Sequence, residues 1–88
     1  MTRADVLTWL ETRKPAPPQA LRERLERAVD ELLPAPGSLL PVYLAHLGQE
    51  LLDRVTSRPS GGRELALDLL AADAFATYAF EAQAEHET

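Results

Sequence analysis

Apolar residues recur at helical spacing in four segments of the chain, and clusters of proline and glycine at 15–18, 34–37 and 59–62 separate these segments. The second segment is the clearest, because its apolar residues follow the i, i+4, i+7, i+8, i+11 spacing of one helix face: Leu21, Leu25, Ala28, Val29 and Leu32. The pattern predicts helices at about 3–13, 18–33, 39–57 and 62–85.

Residues at the segment boundaries support these helices. Thr2 is followed three residues later by Asp5, which is the spacing of a capping box at the start of the first helix. Ser60 is the expected cap of the fourth helix. Because short connections favour antiparallel neighbours, we expect a single all-α domain over 1–88. The expected architecture is a small up-and-down antiparallel four-helix bundle with a short first helix.

The fourth segment is apolar on nearly every side. Between Leu65 and Phe80 the polar side chains are Asp68, Asp73, Thr77 and the hydroxyl end of Tyr78. A helix of this kind is buried on several sides, and small residues allow a second helix to approach closely. We therefore expect the chain to dimerise through its fourth helix, or to bind another protein there. The expected interface residues are Leu69, Ala72, Ala76, Ala79 and Phe80.

Composition narrows the functional classes. Leu and Ala dominate the apolar set and Ile is absent, which favours helices over strands. The absence of Cys excludes a disulfide framework and a thiol nucleophile. The bias toward Arg, Ala, Leu and Pro is typical of a GC-rich coding sequence, and we expect a bacterial source.

Charge disfavours two classes of partner. The net charge of −5 disfavours nucleic acid and anionic lipid, although residues 1–27 carry a net +2 and the remainder a net −7. Two aspartates in the short apolar stretch of the fourth segment disfavour a membrane span. The charged start of the chain disfavours a signal peptide, so we expect a cytoplasmic protein.

Few residues could carry chemistry. His46 and Glu50 lie one helical turn apart, and we interpret them as a surface ion pair, because a metal site needs three or four ligands. Asp73, with Thr77 one turn further on, is the candidate buried polar group. The main expectation, however, is that one of Asp68 and Asp73 is exposed and the other is bonded to an arginine or to a backbone donor of another helix. We expect no catalytic residue, metal or cofactor.

Gly48 interrupts the third helix, where glycine costs about 1 kcal/mol relative to alanine. The residue is either the site of a close helix crossing or an imperfection that the helix tolerates. The sequence as a whole predicts a non-catalytic module for protein interaction or oligomerisation. The alternative function is binding of an apolar small molecule between helices three and four, oriented by Tyr43, Tyr78 or Asp73.

Overall fold

The computed structural model describes residues 1–57 and 62–87 of the chain. Four helices account for most of this part: α1 (Arg3–Glu11), α2 (Gln19–Glu31), α3 (Leu40–Ser57) and α4 (Arg63–Glu87). No strand occurs within these two ranges, so the all-helical prediction is confirmed. Every helix begins and ends within two residues of its predicted bounds.

The start of α1 has the predicted capping box. The hydroxyl of Thr2 accepts a hydrogen bond from the backbone N–H of Asp5 at 3.2 Å, and the Asp5 carboxylate accepts one from the Thr2 N–H at 2.9 Å. These two hydrogen bonds lower the pKa of Asp5. The predicted cap of the fourth helix, Ser60, lies outside the described residues.

α3 and α4 form the most extensive helix contact in the molecule. Their connection, from Ser57 to Arg63, can span at most about 20 Å, whereas the 18 residues of α3 extend over about 27 Å. Two helices that pack along their length over such a short connection must run antiparallel.

Gly48 lies at a close approach between α3 and α4. A Cβ atom at this position would lie 3.2 Å from the carbonyl oxygen of Ala72 and 3.4 Å from the Cβ of Phe75. The structure thus decides between the two readings of Gly48: it marks a close helix crossing, and the missing side chain lets α3 approach the α4 backbone.

α1 and α2 cover one side of the α3–α4 pair. They share with that pair a single buried cluster whose largest members include Phe75 of α4, Leu44 of α3 and Leu25 of α2, with Val6 contributed by α1. The packing is consistent with a helix bundle. α2 is also tied to α4 by an ion pair at 2.6 Å between the guanidinium of Arg24 and the carboxylate of Asp68.

α1 is fastened to the end of α4 by two residues. The indole N–H of Trp9 donates to Glu85 at 2.9 Å, and the guanidinium of Arg13 donates to Glu81 at 2.9 Å and to Glu85 at 3.1 Å. The Arg13 guanidinium also lies 3.6 Å from the centre of the Trp9 ring. Through these contacts Trp9 and Arg13 hold the polar C-terminal end of α4. The helix continues to Glu87, two residues beyond the predicted end.

Candidate interaction surface

The other side of the α3–α4 pair is an open groove, which we call the α3–α4 groove. It has a volume of about 650 Å³ and is lined by residues of these two helices. The lining residues from α3 are Pro41, Val42, Ala45, Gly48, Gln49 and Leu52, and those from α4 are Leu69, Ala72, Asp73, Ala76, Ala79, Phe80 and Gln83. Neither α1 nor α2 contributes a residue to this lining, so the groove lies on the side of the α3–α4 pair that these two helices do not cover.

The groove is apolar and uneven in height. Val42 is 65% exposed and Phe80 is 80% exposed, and both line the same groove. A single exposed apolar side chain is ordinary, whereas several on one face are informative. Between these projecting side chains the floor consists of small residues, with Gly48 packed against Ala72 and Ala76. Asp73 is the ionisable member of the lining set. The groove is therefore an apolar surface on which the Phe80 ring projects beside a shallow floor of small residues.

The structure brings the five predicted interface residues together on this surface. Leu69, Ala72, Ala76, Ala79 and Phe80 all line the groove. The sequence prediction omitted the residues that α3 contributes, of which Val42, Ala45 and Leu52 are the apolar side chains. A signal for them existed, because Val42 and Leu52 broaden the apolar stripe of α3 beyond the width that one core face needs. Whether these residues contact a partner stays a prediction.

The buried polar group of the fold is not the one that the sequence suggested. Asp73 and Thr77 are both exposed in the single chain, because the face of α4 that carries them is turned away from α1 and α2. Arg24 is buried instead, with 4% of its side chain exposed, and it pairs with Asp68 and with Glu31. This matches the expectation that one aspartate of α4 is exposed and that the other bonds to an arginine or to a backbone donor.

The two tyrosines lie away from the groove. The Tyr43 hydroxyl donates to the carbonyl oxygen of Leu32 at 2.6 Å, and burial raises the pKa of this hydroxyl to about 12. The Tyr78 ring packs edge-to-face against Trp9, with ring centres 6.0 Å apart, and burial raises its pKa as well. Of the three residues expected to orient a small ligand, Asp73 alone lines the groove.

His46 lies beside Glu50 on the surface of α3, as predicted. The Nε2 atom of His46 lies 3.6 Å from a carboxylate oxygen of Glu50, and both side chains are about half exposed. Over residues 1–57 and 62–87, no three His, Asp or Glu side chains cluster in a way that would hold a metal ion. In the same two ranges, no helix has both the length and the apolar character to cross a membrane.

Comparison with known proteins adds no family to this picture. No protein-family model matches the chain, and no curated protein or solved structure matches it significantly.

Proposed function

We propose that this protein is a non-catalytic interaction module whose α3–α4 groove is the contact surface for a protein. The observation that carries the proposal is the exposure of large apolar side chains, above all Phe80 and Val42, on one continuous face. Exposed apolar side chains that form one continuous patch, rather than lying scattered singly, mark contact sites on soluble proteins.

The chemistry of the groove favours binding over catalysis. Acid–base catalysis uses ionisable groups whose pKa is tuned by burial or by neighbouring charges. Asp73 is exposed and is the ionisable side chain in the groove lining as the structure describes it. The other polar lining residues are the amides Gln49 and Gln83. Such a surface suits a partner that contributes apolar side chains.

The proposal is tested by photo-crosslinking in the cells that produce the protein. A photoreactive amino acid at Ala76, in the groove, should capture a protein on irradiation. The same amino acid at Ala20 provides a matched control, because Ala20 is an exposed alanine of α2, which contributes no residue to the groove lining. Equal capture at the two positions, or no protein captured at Ala76, would contradict the proposal.

A second candidate function is binding of an apolar small molecule in the groove. Its volume of about 650 Å³ falls within the roughly 300–1,000 Å³ of small-molecule sites. Native mass spectrometry of freshly purified protein separates the two functions. A bound molecule of constant mass that is lost in Ala76→Arg supports the small ligand, whereas a spectrum of bare protein and its protein complexes supports protein binding.

A further inference from the structure

We infer that the occupant of the α3–α4 groove is a second copy of this chain, packed as a two-fold dimer in which the two α4 helices cross at Ala76. This inference rests on the function proposed above, because it names the partner of the same surface. Three observations carry it: the excess exposed area of the single chain, the relief of the groove and the placement of its charge.

The exposed area fits the loss of one dimer interface. The chain exposes 5730 Å², whereas a typical monomer of 9.7 kDa exposes roughly 5,100 Å². The excess of about 600 Å² is close to the roughly 800 Å² that each partner loses in a standard protein interface. The excess belongs to the chain as a whole, and it is of the size that one interface would cover.

The shape of the groove is complementary to the same groove of a second copy. Phe80 lies four residues after Ala76 and Ala72 lies four residues before it, so all three share one face of α4. In a two-fold dimer the same patch meets itself. A residue on the axis faces its own copy, and a residue on one side of the axis faces the residue at the same distance on the other side. An axis at Ala76 places the Phe80 ring of each copy over Ala72 of the other, on the shallow floor beside Gly48.

The charge of the groove permits this arrangement. Interfaces between identical chains are depleted of charge at their centre, and Asp73 is the ionisable residue among the described lining residues. Asp73 lies three residues before Ala76, so an axis at Ala76 places it opposite Ala79 of the other copy rather than opposite the second Asp73. The two Asp73 carboxylates therefore do not face each other, and the interface needs no basic side chain to neutralise them.

Salt separates a second copy from a basic partner. Each copy has a net charge of −5, so added salt screens the repulsion between copies and should tighten the dimer. A basic protein in the same groove would instead bind more weakly as salt is added. Analytical ultracentrifugation at low and high salt should show dimerisation that strengthens with salt. Weakening with salt would contradict the inference.

The geometry is tested by a single introduced cysteine, since the chain has none of its own. Two Cα atoms within roughly 4.4–6.8 Å can be joined by a disulfide, and an axis at Ala76 brings the two copies of this residue together. Purified Ala76→Cys should form a disulfide-linked dimer on mild oxidation, on the order of tenfold more than Ala84→Cys.

The outcomes of this test separate the inference from the proposed function. Circular dichroism should show both cysteine variants as helical as the unmodified chain, because both alanines are exposed. Equal cross-linking at the two positions, or a monomer at every concentration, overturns the second copy as occupant. If photo-crosslinking at Ala76 still captures a different protein, the proposed function stands without this inference.

Discussion

Arg24 shows how a single buried charge is accommodated in this small fold. Its side chain is 4% exposed, and its guanidinium is 2.6 Å from the Asp68 carboxylate and 3.5 Å from that of Glu31. Glu31 is shared with Arg54 at 2.8 Å. A charge removed from water is costly unless it is paired, so we expect Asp68 to matter more than an acid in a surface ion pair.

Asp68 and Asp30 each pair with an arginine, and the two pairs differ because Arg24 is buried whereas Arg3 is half exposed. Asp68→Ala should lower the free energy of unfolding by about 3 kcal/mol, because it leaves the buried Arg24 with one distant partner. Asp30→Ala removes the partner of Arg3, a pair whose side chains are both half exposed, and should cost clearly less than Asp68→Ala, because water screens an exposed pair. Urea unfolding followed by circular dichroism measures both variants. Equal losses would show that burial of Arg24 does not govern the pair.

Tyr43 gives a prediction for alkaline pH. Its folded-state pKa of about 12 lies above the unfolded value of about 10. The stability contributed by the neutral hydroxyl is therefore fully present below pH 10 and is lost as the pH rises through 12. Tyr43→Phe should cost about 1 kcal/mol at pH 8 and should unfold with a weaker pH dependence between pH 10 and 12. Part of that dependence remains in the variant, because the pKa of Tyr78 is raised as well. An unchanged slope would contradict this role.

The sequence could not identify these pairings. Arg24 belongs to a run of alternating charges in α2, in which Arg22, Arg24 and Arg27 look alike. Helical spacing shows which face of a helix is apolar, but which charge is buried depends on where another helix crosses it. The Thr2–Asp5 capping box was predictable because both of its members lie within one turn.

At the scale of the helices, the spacing between α3 and α4 determines the shape of the groove. Gly48 brings the α3 backbone against Ala72 and Phe75, so the floor between the two helices is shallow. The sequence showed that Gly48 interrupts α3 but not why a glycine is there. A glycine within a helix looks the same in the sequence whether or not another helix packs against it.

A larger residue at this crossing should force the two helices apart. Gly48→Val should lower the stability by about 2 kcal/mol, which corresponds to a fall of roughly 10 °C in the melting temperature of a domain of this size. His46→Val provides a control for the effect of valine on helix propensity, since His46 is exposed on the same helix. Equal melting temperatures for the two variants would exclude a close crossing as the reason for the glycine.

The contact between α1 and α4 gives a prediction for acid. The hydrogen bond from the Trp9 indole, together with the hydrogen bond and charge of Arg13, lowers the pKa of Glu85. The stability that this carboxylate contributes is present above the unfolded pKa of about 4.3 and is lost as the pH falls through the lower folded value. The melting temperature should therefore fall below about pH 4.5, and Glu85→Gln should reduce that dependence. The dependence should not vanish, because the pKa values of Asp5 and Asp30 are also lowered. Identical profiles for the two proteins would argue against the contact.

At the scale of the whole molecule, the decisive feature is that α1 and α2 cover one side of the α3–α4 pair and leave the other bare. The excess of apolar residues in the fourth segment predicted an uncovered face, and four of its small or aromatic residues, Ala72, Ala76, Ala79 and Phe80, do line the groove. The contribution of α3 was missed, because Val42 and Leu52 also fit a wide core stripe. Whether Val42 and Leu52 belong to the core or to the groove depends on where α1 and α2 pack.

The measurement that tests the central claim most directly is the mass of the purified chain in solution as a function of concentration. Sedimentation equilibrium should give twice the chain mass of 9.7 kDa for the unmodified protein and for Ala84→Arg at micromolar concentration. Ala76→Arg should give the mass of a single chain with its helix content unchanged, because Ala76 is exposed in the single chain. A single-chain mass for the unmodified protein at every concentration, or a dimer that Ala76→Arg leaves intact, would contradict the account.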